Sequence, residues 1–101
     1  MSEARALMAL GQTLAQAARE GDWATVQRTD LQLADALFAL RGRAHGAEMR
    51  QALDAARQLH ADAMRQCAAQ RDALAEKMAL SLRNREGAAA YATFADDRTA
   101  G

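Results

Sequence analysis

Apolar positions recur at spacings of three and four along most of this chain, and the longest uninterrupted stretch lies between Gly46 and Gly87. Counting about 100° per residue from Met49, the residues Met49, Leu53, Ala56, His60, Met64, Cys67, Arg71, Leu74, Met78 and Leu82 fall within an arc of about 80°. Arg50, Asp54, Arg57, Asp62, Arg65, Asp72, Glu76 and Arg83 point the other way, and no proline interrupts the phase. The pattern predicts one amphipathic helix over residues 46–86, roughly 60 Å long at the usual rise.

Two shorter helices precede it. The first is expected over residues 3–20, with Ser2 as N-cap and Glu3 favourable in the first turn. Leu7, Leu10, Leu14 and Ala17 form its stripe, widened by Met8 and Ala18. Gly11, inside that helix, costs about 1 kcal/mol against alanine and suits a close helix approach. Gly21 stops the helix and Asp22 caps the next. That second helix is expected over residues 22–41, with Val26, Thr29, Leu33, Leu37 and Leu40 inward and Ala34 and Phe38 widening the face. Trp23 sits at the turn, where its ring is expected to close the open end of the core, a contact to a partner being the alternative. Arg41 to Gly46 reads as a loop. Helices joined by short turns pack antiparallel, so the fold class is all-α: an up-down-up three-helix bundle with a long third helix.

Length then carries the main inference. Two helices of about twenty residues each span roughly 30 Å and cover the third from about Ala47 to about Gln66. The remainder, Cys67 to Leu82, is expected to project beyond them with Leu74, Met78 and Leu82 uncovered. An exposed apolar stripe signals association: with a partner, with a second copy, or with a self-masking tail. Arg71, inside the stripe where coverage runs out, reads either as a snorkelling side chain at the core edge or as a polar fixture that orients a bound segment. Met78 suits an adaptable surface as well as a packed one, whereas Met64 reads as packing. Leu80 is out of phase and reads as a single exposed leucine. After Gly87 the reading is a short helical tail over residues 87–101: Ala88 to Ala95 helical, with Tyr91 and Phe94 on one face, folded back as a clamp or free for a partner, and a frayed end from Asp96 to Gly101.

Composition narrows the function classes. Helix formers dominate and isoleucine is absent, which favours a thin helical layer over a deep core. Thirteen basic and thirteen acidic residues cancel, so the basic stripe of a nucleic-acid binder or of a helix lying on an anionic membrane is not expected. No apolar run reaches the ~18–20 residues of a membrane span, the first residues lack the pattern of a signal peptide, and one cysteine fits a reducing compartment. A cytoplasmic protein is expected. His60, Met64 and Cys67 at i, i+4 and i+7 offer soft ligands on one face, but nothing completes a coordination shell, and core packing is the preferred reading. Glu-x-x-His pairs and phosphate-binding glycine loops are missing, and neither His45 nor His60 has a nearby nucleophile in sequence. No enzyme and no cofactor are expected.

The chain resembles the flagellar export chaperone FliT family. The likeness lies in the Ala/Leu/Gln-rich first helix, the turn Arg19-Glu20-Gly21-Asp22-Trp23, and the leucine spacing of the second helix. It continues in a long third helix carrying Gln70-Arg71-Asp72-Ala73-Leu74 and followed by Ala89-Ala90-Tyr91. These motifs occur widely one by one; their order and spacing over nearly the whole chain carry the resemblance. It implies a cytoplasmic helical chaperone that holds the C-terminal segment of the filament-cap protein and delivers it to the export ATPase complex and the export-gate protein. Combined with the exposed stripe, it assigns Arg71, Leu74, Met78 and Leu82 to the cargo groove. Tyr91 matches the family's gate-docking tyrosine, and Phe94 is grouped with it. In some members a fourth helix masks the binding surface and the chaperone inhibits the flagellar master regulator. Here ten residues follow Tyr91, so a full masking helix is not expected, and alanines stand where asparagines can precede the tyrosine. Two rival readings stay open: a homodimeric helical scaffold built by pairing two long helices, and a chaperone for hook-filament junction proteins.

Overall fold

The computed structural model describes the backbone of residues 2–100 and the side chains of residues 2–95. Its three helices are α1 (Glu3–Glu20), α2 (Trp23–Ala39) and α3 (Ala47–Ala100), and the described residues contain no strand. Ser2 starts α1: its backbone is extended and its hydroxyl oxygen accepts the Arg5 amide at 3.1 Å, which satisfies one of the donors a helix start leaves unpaired. At the other end Gly21 adopts φ 71°, a left-handed conformation that glycine reaches without steric cost. The turn lets the Asp22 amide bond the Ala17 carbonyl at 3.0 Å, as in a Schellman closure.

Asp22 then caps α2. One carboxylate oxygen accepts the Thr25 amide at 3.2 Å and the other accepts the Thr25 hydroxyl at 2.7 Å. The Thr25 hydroxyl bond, then the Thr25 amide, and then the charge of Arg28 hold the Asp22 carboxyl below its ordinary pKa. A carboxyl depressed in the folded state contributes stability above its unfolded pKa and loses it as pH falls through the folded one. Asp22→Asn keeps a capping oxygen but cannot titrate. Melting both proteins from neutral pH down to about pH 2 should therefore show the wild type losing its advantage in the acidic range, while the asparagine variant lacks that component.

The residues ending at Ala68 and those beginning at Ala69 form two separate compact units. In the first, Leu7 and Leu14 from α1, Leu33 from α2, and Ala52, Ala56 and Ala63 from α3 meet in one buried cluster. Ala4, Ala17 and Ala18 of α1 join the alanines of α3 in that cluster, and Leu53 of α3 joins the leucines; so many small side chains keep the core thin. Gly11 shows how close the helices come. A Cβ added there would lie 3.0 Å from Leu59 Cδ1 and 3.4 Å from the Ala56 backbone, so a side chain at this position would require the Leu59 tip to give by a few tenths of an ångström. Across the other side, His60 Nε2 of α3 lies 2.8 Å from Asp30 Oδ1 of α2, and Arg43, after α2, pairs with Glu3 of α1 at 3.3 Å.

Several expectations are corrected. α2 ends at Ala39 rather than at Arg41, where Leu40 and a turn through Gly42 at φ 77° take over. Trp23 does not close the core: it is 44% exposed and stands outside the buried cluster. Phe38 and Ala34 face outward, Phe38 at 74% exposure, because Leu33 and Leu40 already fill the inner side of α2. Most consequentially, α3 does not stop at Glu86. Gly87 keeps a helical conformation, without the positive φ of Gly21 and Gly42. It is followed by three alanines, the best helix formers, and neither a capping turn nor a proline ends the run. The expected separate tail is therefore part of α3, whose helical backbone also takes in the stretch from Asp96 to Ala100; Gly101 lies outside the described residues.

Candidate binding surfaces

Burial along α3 ends abruptly. Ala63 is the last buried residue, Met64 and Cys67 are half-buried against the core, and every residue from Arg71 to Ala95 is exposed. The second unit thus presents helix surface made of its own side chains. Leu74, Met78 and Leu82 are 58%, 64% and 56% exposed, large apolar groups one turn apart that advance about 40° per step around the helix. The structure places these three sequence-derived groove residues together on one stripe. Arg71 lies on the same stripe, but it neither snorkels nor edges the core. Its side chain is 77% exposed, with Nε 3.7 Å from Asp72 Oδ1.

The continuity of α3 changes the relation between the two predicted sites. On one unbroken helix Tyr91 and Phe94 fall about 140–160° away from Met78, on the opposite side from the Leu74–Met78–Leu82 stripe. A tail helix folded back to clamp that stripe is therefore not what forms. Tyr91 is 75% exposed and Phe94 59%. Leu80, at 52% exposure, falls on their side of the helix. Its phase, which looks incidental when the helix is stopped at Glu86, becomes regular once the helix runs on.

The His60, Met64, Cys67 triplet is divided by the fold. His60 turns to Asp30, whereas Met64 and Cys67 pack on the core. Among the described residues no group of three His, Cys, Asp or Glu side chains is placed to hold a metal ion. His45 lies in the loop, its Nε2 3.0 Å from the Leu40 carbonyl oxygen.

A further apolar surface in the first unit escaped sequence reasoning. Leu37, Phe38 and Leu53 line an open groove together with His45 and the three arginines Arg41, Arg43 and Arg57. Leu31 and Phe38, seven residues apart and 68% and 74% exposed, share one edge of α2, and that spacing was the available signal. It was masked because the inner stripe of α2 and this outer edge are both apolar. Likewise, nothing in a single sequence marks Asp30 and His60, thirty positions apart, as a pair.

No helix among the described residues is long and apolar enough to cross a membrane. Compared with protein-family models, with curated proteins and with solved structures, the chain finds no match.

Proposed function

We propose that this protein is a cytoplasmic chaperone of flagellar type III export, which holds the C-terminal segment of the filament-cap protein and escorts it to the export ATPase complex and the export-gate protein. It acts by binding and not as an enzyme. The observation that carries the reading is the exposed stripe of Leu74, Met78 and Leu82 on a helical segment with no buried residue from Arg71 to Ala95. A chaperone for an assembly-prone segment needs such an unsatisfied apolar face, onto which an amphipathic helix lays its i, i+3, i+4 and i+7 anchors. The resemblance in the turn Arg19 to Trp23, in Gln70 to Leu74 and in Ala89 to Tyr91 supplies the choice of cargo. The up-down-up course of the helices belongs to the same reading. It is supported by the Glu3–Arg43 pair, which joins the start of α1 to the end of α2, and by a surface hollow that Ala4, Arg5 and Met8 share with Glu48, Gln51 and Ala52, the starts of α1 and α3.

Cargo occupies the Leu74 face and the export gate the Tyr91 face. Because these lie on opposite sides of α3, one chaperone can hold cargo while docking. Ordering a flexible segment costs free energy, so the complex is of moderate affinity and release is feasible. The test is calorimetric titration of the protein with the C-terminal segment of the filament-cap protein from the same genome, where saturable binding is expected. No heat of binding, together with a stable dimer by light scattering, would move the function to a self-associating scaffold. Tyr91→Ala should weaken capture by the export-gate protein in a pull-down and leave cargo affinity unchanged; loss of both together would overturn the division between faces.

A further inference from the structure

The Leu74–Met78–Leu82 stripe is closed at both ends by arginine. Arg71 and Arg85 fall seven residues before and after Met78, each within about 20° of it around the helix. Both are exposed. The acidic residues of the segment lie off the stripe: Glu86 about 80° away, Asp72 about 120° and Glu76 about 160°. The ion pair between Arg71 and Asp72, at 3.7 Å between side chains 77% and 75% exposed, is the kind of surface contact that a better-placed carboxylate replaces at little cost. Between residues 71 and 85 the face therefore reads cation, three apolar anchors, cation, with the two guanidinium-bearing positions roughly 21 Å apart along the axis.

This pattern selects among occupants. A second copy laid stripe to stripe and antiparallel, with Met78 on Met78, sets Arg71 against the other copy's Arg85 at both ends. A parallel, in-register pair sets each arginine against itself. Sliding the copies to avoid this uncovers the leucines. Like charges placed opposite each other suppress a partner. We propose that the occupant of this face is an amphipathic helix from a different protein, whose apolar stripe is bracketed by two carboxylates about fourteen positions apart, each received by one arginine. This rests on the reading of the stripe as the cargo groove and adds to it the charge code by which cargo is selected. The arrangement serves a helix running in either direction, since the bracket is the same from both ends.

The test uses the 101-residue chain and three synthetic helical peptides of about twenty residues with the same leucine stripe, bracketed by glutamates, by glutamines or by lysines. In fluorescence anisotropy at low salt the glutamate peptide should bind about tenfold tighter, and the gap should close as salt is raised. The double substitution Arg71→Glu with Arg85→Glu should reverse the preference, favouring a lysine-bracketed peptide. Equal affinity for the glutamate and glutamine peptides, binding of neither, or a homodimer that Leu74→Ala with Leu82→Ala dissolves would each overturn the inference. The chaperone reading fails separately. If the filament-cap segment binds the wild type and Arg71→Gln with Arg85→Gln equally well, the charge code is wrong and the chaperone stands. If the glutamate peptide binds selectively and the filament-cap segment does not bind, the code stands and the cargo is another protein.

Discussion

Changing Leu74, Met78 and Leu82 together to alanine should abolish measurable binding of the filament-cap segment and leave the melting temperature nearly unchanged. The three side chains are more than half exposed in the free protein, so their truncation opens no cavity in the fold, and alanine is at least as good a helix former as the residues it replaces. In a complex the same atoms would be desolvated against an apolar stripe. Truncating each then forfeits about 1–2 kcal/mol, or roughly a hundred- to ten-thousand-fold in affinity for all three. Leu80→Ala is the control: it removes a leucine of similar exposure from the opposite side of α3 and should leave cargo affinity alone. Calorimetry read beside circular dichroism separates the outcomes. Weakened binding with an intact melt places the groove on this stripe. Undiminished binding moves the cargo elsewhere, and the groove of Leu37, Phe38 and Leu53 in the first unit is the next surface to test.

What the sequence discloses about this molecule follows from which interactions are local. Caps are local: Ser2 with Arg5 and Asp22 with Thr25 each span three residues, so serine or aspartate before an apolar phase is enough to place a helix start. The inner stripes of α1 and α2 are equally legible, because Leu7, Leu14 and Leu33 recur at helical spacing and are buried. The end of α3 was not legible. A glycine reads as a stop, yet in a helix already under way it costs only about 1 kcal/mol, and the alanines after Gly87 carry the helix on. That single residue decides whether Tyr91 belongs to a tail that folds back or to the side of α3 opposite Leu74, Met78 and Leu82. Non-local facts were out of reach too: the outward turn of Phe38, the exposure of Trp23 and the His60–Asp30 contact depend on how three helices share one small core.

Leu33→Ala should have the largest effect on stability, and on one part of the melt only. Leu33 is 1% exposed and lies in the cluster formed by all three helices. Truncating a leucine in such a position costs about 2–5 kcal/mol, the transfer of the lost atoms plus the cavity they leave. The surroundings are poorly able to collapse into that cavity. Much of the cluster is alanine, including Ala52, Ala56 and Ala63 of α3, and alanine has no rotamers with which to refill space. A domain of this size holds only about 5–15 kcal/mol in total, and each kcal/mol corresponds to roughly 4–8 °C, so the cooperative transition should drop by on the order of 10–30 °C. The unit beginning at Ala69 behaves differently. With no buried residue from Arg71 to Ala95, its helix is held by propensity and melts as a gradual helix–coil change. Circular dichroism at 222 nm should thus show a sharp step on a sloping background, and Leu33→Ala should shift the step while leaving the slope in place. A single transition that moves as a whole would mean that the two units melt as one. In that event the exposed stripe draws its helical order from the core that Leu33 supports, and cargo binding should weaken with the same substitution.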